Sequence, residues 1–418
     1  MLRNHLGFAL FMSLLLIAPK IPLRIPGGAE RSTVSLGLAG LMIWFLACPK
    51  RPFSFPRISA WHPLFWILIF AIYAFIVSLL STNIVSIAYS VQFLFYAVIG
   101  TILMRRYARS FVSSNSRCAR SIFFVIAVIY SVGMLISVFT GPIYPHQVLA
   151  THKHWGGFDI PQGVGFSEGQ NMAAPVVIFF AAACIYVYRG KIWKKWILLS
   201  LLLFALLATL SRGAIFSFIG TLGFVYCLDS MEPLVRRASV KVLVLKNIRF
   251  VALTFATLVI TLIVAIHSTN KWLLPAILSG LGLTNQHSVV STDMAARFSH
   301  WAWGLNTWAS GNLLKMVFGG GFRSSMLISA NRGTWHTAHN VYITILGDFG
   351  IIGFVLFFGT LSAAFFRYAR LFLTGKARGI EKFGLLVLLA LSIDNMTGPY
   401  FYSPICLSLL IFTFAVTL

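Results

Sequence analysis

The residues best suited to chemistry in this sequence lie near position 340. His339 and Asn340 come directly before a long apolar run that begins at Val341, and Asp348 and Gly350 follow inside that run. Asn340 is a favourable N-cap, so the run is predicted to be a helix that begins beside His339. The partial positive charge of a helix N-terminus favours a neutral imidazole, which can accept a proton from a hydroxyl group. His339 is therefore the candidate general base.

Arginines are the second group of candidate functional residues. Arg212 lies between two apolar runs, where a charge is rare in membrane proteins and often functional. A guanidinium group binds phosphate through two parallel hydrogen bonds and stays charged at every physiological pH. We therefore predict an anionic substrate, held by Asn340 and by four arginines: Arg212, Arg297, Arg323 and Arg332.

The sequence predicts neither a metal ion nor another cofactor. No two of the acidic residues expected on the outer side are adjacent or at DxD spacing, as a chelated divalent ion would favour. His336 precedes His339 by one turn, but no glutamate lies between them and no third zinc ligand is nearby. The five cysteines are scattered without CxxC spacing, so neither a disulfide framework nor a zinc site is indicated.

Composition determines which elements must position these residues. The chain is 58% hydrophobic and only 10% charged, which is typical of a protein that crosses the membrane many times. We predict an all-α polytopic integral membrane protein, a single transmembrane domain over residues 1–418. About twelve apolar runs approach the length needed to span a bilayer. They cover 6–18, 33–48, 63–80, 87–103, 121–139, 172–188, 196–210, 214–228, 250–267, 341–366, 383–394 and 402–417.

Basic residues predict the orientation of these spans. Lysine and arginine are concentrated in alternate connectors, so the positive-inside rule places both termini in the cytoplasm. The net charge of +24 then reflects topology and contact with membrane lipids, and no nucleic-acid-binding pattern accompanies it. The basic connectors contain Lys50, Arg51 and Arg57; Arg105, Arg106, Arg109, Arg117 and Arg120; Arg189, Lys191, Lys194 and Lys195; Arg236, Arg237, Lys241, Lys246 and Arg249; and Arg367, Arg370, Lys376 and Arg378.

Two sizeable segments are predicted on the opposite, outer side. The first covers 140–171 and is rich in glycine, proline, histidine and aromatic residues. The second covers 268–339, directly before the tenth span, and is long enough for a helical subdomain. Its stretch from Met294 to Trp308 has amphipathic helical spacing, which predicts a helix on the membrane surface or packed against the spans. Gly319, Gly320 and Gly321 predict a flexible turn before Arg323.

The ordered motifs of the chain resemble those of the O-antigen ligase and polymerase superfamily of bacterial membrane glycosyltransferases. The likeness runs from about residue 165 to the C-terminus, whereas the first third matches only in hydropathy. In most members of the family a glutamate stands where this chain has Asp348. The motifs are Leu210-Ser211-Arg212-Gly213-Ala214, Ala296-Arg297-Phe298-x-x-Trp301 and His339-Asn340-x-Tyr342-x(5)-Asp348-x-Gly350-x-x-Gly353.

The resemblance implies an O-antigen ligase. Such an enzyme transfers O-antigen glycan from undecaprenyl pyrophosphate to a sugar hydroxyl of lipid A-core, without metal or cofactor, on the periplasmic side of the bacterial inner membrane. Segments 140–171 and 268–339 would then be periplasmic loops. His339 would deprotonate the acceptor, Arg212 and Arg297 would bind the pyrophosphate, and Asp394 would be a catalytic acidic residue that orients His339 or an arginine.

Three other functions stay open. A glycan polymerase would use a second lipid-linked glycan as the acceptor, but many polymerases have two large periplasmic loops with Arg-rich motifs. A protein O-oligosaccharyltransferase would transfer to protein, and a sizeable C-terminal domain is missing from the predicted arrangement. A flippase for lipid-linked anions would need charged residues along its path, whereas the predicted helix interiors have almost none.

Overall fold

A computed structural model describes the chain in segments. They are residues 20–24, 31–35, 61–112, 117–141, 152–155, 158–161, 170–209, 211–236, 293–326, 338–396 and 403–417, with a few single positions between them. Almost all of the predicted span 6–18, the whole of span 250–267, and the candidate residues Arg332 and His336 lie outside the described residues.

Helices dominate the described part of the chain. Every predicted span between 63 and 228, and every one between 341 and 417, is confirmed as a helix. In chain order the helices are α1 (Pro63–Leu80), α2 (Ile84–Val112), α3 (Arg117–Thr140), α4 (Gln170–Tyr186), α5 (Ile192–Ala208), α6 (Arg212–Arg236), α7 (Asp293–Ala309), α8 (Leu313–Phe318), α9 (Val341–Leu373), α10 (Gly379–Asp394) and α11 (Pro404–Thr417).

Two short antiparallel β-hairpins accompany the helices and leave the predicted helical class of the chain unchanged. Strands β1 (Lys20–Arg24) and β2 (Arg31–Ser35) pair with each other, and strands β3 (His152–Trp155) and β4 (Phe158–Pro161) form the second hairpin. The predicted span 33–48 was therefore wrong at its start, because residues 33–35 belong to β2. The β-branched pair Thr33 and Val34 favours a strand there. The second hairpin lies within the predicted outer segment 140–171.

The helices have the lengths and composition of a multi-pass membrane protein. Among the described residues, 4 stretches are long and apolar enough to cross a bilayer: Pro63–Leu80, Ile84–Ile102, Arg120–Thr140 and Val341–Phe372. Shorter apolar helices cover Met172–Tyr186, Gly213–Leu228 and Ile405–Thr417. Large apolar side chains such as Ile72, Val125 and Phe358 are exposed, as lipid-facing residues of a membrane protein are.

Helix α4 forms the centre of one half of the molecule, where it is buried along almost its whole length and packs against α5 and α10. In the other half, α9 packs against α1, α7, α8 and α10. Phe322, from the segment after α8, inserts among the spans and contacts Phe93 and Phe349 with ring centroids 5.3 and 4.8 Å apart. This aromatic contact anchors the segment after α8 to the long apolar helices.

Candidate functional site

The N-terminal end of α9 is held from two sides. The buried side chain of Asn340 caps the helix, and its Oδ1 accepts hydrogen bonds from the backbone N–H groups of Tyr342 and Ile343 at 2.9 and 3.3 Å. The N–H of Val341 donates to the carbonyl of Asn395, directly after α10, at 2.9 Å. The predicted cap is confirmed, whereas a substrate-binding role for Asn340 stays a prediction.

His339 stands at this fixed helix end and is exposed. Its backbone has a positive φ of 47°, a conformation that non-glycine residues adopt rarely and that is often found at functional sites. The imidazole stacks on that of His300 in α7, with ring centroids 5.1 Å apart and an interplanar angle of 28°. Helix α7 and the start of α9 therefore meet at two histidine side chains.

Arg297 is brought to the same place by α7. It precedes His300 by three residues, and side chains at this spacing lie on the same face of a helix. Helix α7 approaches α9 closely at Gly304, where an added Cβ would lie 2.7 Å from Ile343 Cγ2 and 3.0 Å from Ala338 Cβ. A larger residue at this position would push α7, with its arginine, away from His339.

The amphipathic helix predicted from Met294 to Trp308 is confirmed as α7. Its close contact with α9 is made at the buried Gly304. Its aromatic stripe is only half-buried, and Leu305 within the stripe is exposed. Whether this stripe lies on the membrane surface stays a prediction.

Asp394 is buried at the C-terminal end of α10. Its neighbour Asn395 provides the carbonyl that accepts the hydrogen bond from Val341, two residues after His339. The structure therefore places this acidic residue, predicted to orient His339 or an arginine, at the same helix junction as the predicted base.

Arg323 occupies a different position, against α2. Its guanidinium carbon lies 4.1 Å from the ring centroid of Tyr89, within the range of a cation–π interaction. Its backbone N–H donates to Asp348 Oδ2 at 2.9 Å. Asp348 lies seven residues after Val341, which corresponds to about 10 Å along α9. Arg323 is thus part of a second site on α9, apart from the pair of histidines.

Asp348 forms the centre of that second site and is fully buried. Its carboxylate accepts hydrogen bonds from Arg323 N, from Ser325 N at 2.9 Å and from Ser325 Oγ at 2.7 Å. Its backbone carbonyl accepts from the N–H groups of Gly320 and Gly321, both at 2.9 Å. The predicted flexible glycine turn is therefore held firmly against α9.

Glycine is required on both sides of this contact. Gly350 breaks the helical geometry of α9 with φ 64° and ψ −168°, a conformation that is almost restricted to glycine. A Cβ on Gly350 would lie 2.4 Å from the carbonyl oxygen of Val317, and one on Gly319 would lie 2.3 Å from that of Asp348. The resulting break frees the Asp348 carbonyl from the helix, so that it accepts from the turn.

Arg212 is the first residue of α6, directly after the short connector from α5, so its position at a helix end agrees with the sequence prediction. The described residues contain no group of three His, Cys, Asp or Glu side chains close enough to hold a metal ion.

Sequence reasoning missed two features of this region. His300 lies inside the Arg297 motif, but nothing in the spacing indicates that it stacks on a residue nearly forty positions later. The second is a cleft of about 870 Å³ between α1 and the α7–α8 segment, lined among others by Asn83, Trp308, Asn312 and Lys315. Among the residues that the structure describes, none of the predicted site residues lines it.

Comparison with known proteins leaves the family open. No model of a known protein family matches this chain, and a search of curated proteins finds no match.

Proposed function

We propose that this protein is a glycosyltransferase of the O-antigen ligase type. It transfers glycan from undecaprenyl pyrophosphate to a sugar hydroxyl of lipid A-core, and so takes part in lipopolysaccharide biosynthesis. The observation that carries the proposal is the stack of His339 on His300. This stack joins an exposed imidazole at a helix N-terminus to the helix that carries Arg297, which combines a base with a cation.

The reaction requires a base for the acceptor and positive charge for the leaving group. In the proposed step the acceptor oxygen attacks the anomeric carbon, and a new carbon–oxygen bond forms. The bond from that carbon to the phosphate oxygen breaks, and undecaprenyl pyrophosphate leaves with the electron pair. His339 takes the hydroxyl proton. General-base catalysis of this kind accelerates a reaction by about 10²–10⁴-fold. Direct displacement inverts the anomeric centre.

Arginine provides the positive charge in this proposal. The departing pyrophosphate carries charge that fixed donors stabilise more strongly in the transition state than in the substrate. Arg297 lies on the face of α7 that also carries His300, and Arg212 begins a helix at the predicted membrane boundary. Arg332 and Arg323 remain further candidates for binding the lipid-linked donor. The guanidinium of Arg323 already stacks on Tyr89.

Charge distribution supports an outer location for this site. Helix α9 carries Arg367 and Arg370 near its C-terminal end, whereas His339 precedes its N-terminal end. Basic residues favour the cytoplasmic side of a membrane, so the end with His339 lies outside. In the proposed topology about twelve spans cross the bacterial inner membrane, both termini are cytoplasmic, and the active site faces the periplasm.

A transfer assay tests the proposal directly. Purified full-length protein is incubated with undecaprenyl-pyrophosphate glycan and lipid A-core in the presence of a chelator, and products are separated by mass. We expect glycan-capped lipid A-core. Glycan joined only to a second donor molecule would indicate a polymerase instead of a ligase. Transfer only to added protein would indicate a protein O-oligosaccharyltransferase. No product with any acceptor would overturn the glycosyltransferase proposal.

A further inference from the structure

The cleft between α1 and the α7–α8 segment has the size of a ligand site. Its volume is about 870 Å³, and small-molecule sites occupy about 300–1,000 Å³. Trp308, on its wall, lies eight residues after His300, or about 12 Å along α7. A ligand in the cleft would therefore lie beside the paired histidines without displacing them.

One wall of the cleft is apolar and belongs to a membrane-spanning helix. Ile76 and Leu80 of α1 line it and are 49% and 77% exposed. Both lie near the end of α1, close to the boundary of the proposed bilayer. A hydrocarbon chain that lies along this face stays within the lipid phase as far as the polar residues of the cleft.

Other residues that line the cleft offer hydrogen-bond donors. Asn83 and Asn312 each use Oδ1 to cap a helix, accepting from Val85 N and from Lys315 N, both at 2.9 Å. Because the oxygen faces the helix, the NH₂ group of each amide is the end that is left for a ligand. Neither NH₂ group donates to a residue of the described part of the chain. Ser86, whose buried hydroxyl has no hydrogen-bond partner among the described residues, also lines the cleft.

The charge of the cleft selects an anion. Lys315 lines it, its side chain is exposed, and its ammonium makes no ion pair with a described residue. No aspartate or glutamate is among the described residues that line the cleft. Trp308 adds a fixed aromatic surface, because its Nε1 donates to the carbonyl of Met316 at 3.1 Å.

We propose that this cleft binds the head of an anionic glycolipid. The acyl chains lie along Ile76 and Leu80, the phosphorylated sugar contacts Lys315 and the amides of Asn83 and Asn312, and a sugar ring packs on Trp308. The chemistry of the ligand follows from the cleft alone. Its role as the acceptor rests on the proposed function, in which the cleft holds the acceptor lipid while its glycan reaches His339.

Binding, rather than transfer, tests this inference. Full-length protein is placed in phosphatidylcholine nanodiscs that contain lipid A, a phosphorylated and acylated disaccharide, and the retained lipid is measured by native mass spectrometry. We expect Lys315→Gln to weaken lipid A binding by about tenfold or more, as the loss of a hydrogen bond to a charged group does. Lys376→Gln removes an equally exposed lysine after α9 and should leave binding unchanged.

Competing lipids separate recognition of the sugar from recognition of charge. Lipid A should displace phosphatidylglycerol, which is anionic but has no sugar ring, and Trp308→Leu should reduce this preference. Equal retention of phosphatidylglycerol, equal retention of a neutral glycolipid, or unchanged lipid A binding by Lys315→Gln would each overturn the proposal.

A further variant separates the cleft from the catalytic site. His339→Ala should bind lipid A as the wild type does, although the proposed function makes it inactive in transfer. If the wild-type protein binds lipid A but transfers no glycan, the assignment of the cleft stands and the ligase proposal is overturned. Transfer without lipid A binding at the cleft would support the ligase and overturn the assignment of the cleft.

Discussion

Two polar residues, His339 just before α9 and Asp348 within it, look alike in the sequence and differ in the structure. Both belong to the same motif and both are ionisable. His339 is exposed and contacts His300 through its ring, whereas Asp348 is fully buried and its carboxylate accepts hydrogen bonds from the Arg323–Ser325 segment. A side chain whose hydrogen-bonding capacity is already used by the protein holds structure, and one that is exposed at a helix end can act on a substrate.

The largest expected effect follows from removing the exposed member of this comparison. His339→Ala should lower glycan transfer by about 10²–10⁴-fold, because the acceptor hydroxyl loses its base. The purified transfer assay measures the loss, and the amount of folded protein in the membrane serves as the control, since an exposed ring contributes little to the core. Wild-type amounts of capped product would show that His339 is not the base.

The buried side of the comparison should respond in stability. Gly350→Ala should destabilise the protein by at least about 1–3 kcal/mol, because its backbone conformation is almost restricted to glycine and the new methyl group would clash with Val317. Thermal unfolding in detergent measures the change. The matched control is Gly220→Ala in α6, where an added Cβ meets nothing within 4 Å. Equal stability of the two variants would contradict the tight contact between α9 and the glycine turn.

Arg297→Lys should have a smaller effect, on transfer alone. Lysine keeps the positive charge but loses the planar fork that binds two phosphate oxygens, so we expect about a tenfold lower kcat/KM for the lipid-linked donor. Arg378→Lys, at an exposed position before α10, is the comparison variant and should behave as the wild type. Full activity of Arg297→Lys would remove bidentate binding from the proposal.

The smallest expected effect concerns His300, a positioning residue that acts through His339. His300→Ala removes a ring stack, worth about 0.5–1.5 kcal/mol, and should lower transfer by about 2- to 12-fold. His300→Phe restores an aromatic surface and should recover most of this loss. If phenylalanine is no better than alanine, the imidazole nitrogens of His300, rather than its ring surface, support His339.

Much of the fold was predictable because hydropathy and helix capping act over short distances. The apolar run at 63–80 coincides with α1, and Asn340 caps α9 as its side chain predicts. The start of the predicted span 33–48 was wrong, because a short β-branched stretch pairs with a partner strand that hydropathy does not reveal. Arg332 and His336 lie outside the described residues, so their roles stay predictions.

The sequence by itself determined the multi-pass helical class, most span positions, and the residue types suited to base catalysis and anion binding, because composition and local periodicity carry that information. Only the tertiary structure decided which of these residues meet. It joined His339 to His300, assigned Asp348 to the glycine turn, and opened a cleft beside Lys315 that no motif indicates. Such contacts depend on how helices far apart in the chain pack, and local sequence patterns do not encode the distances between them.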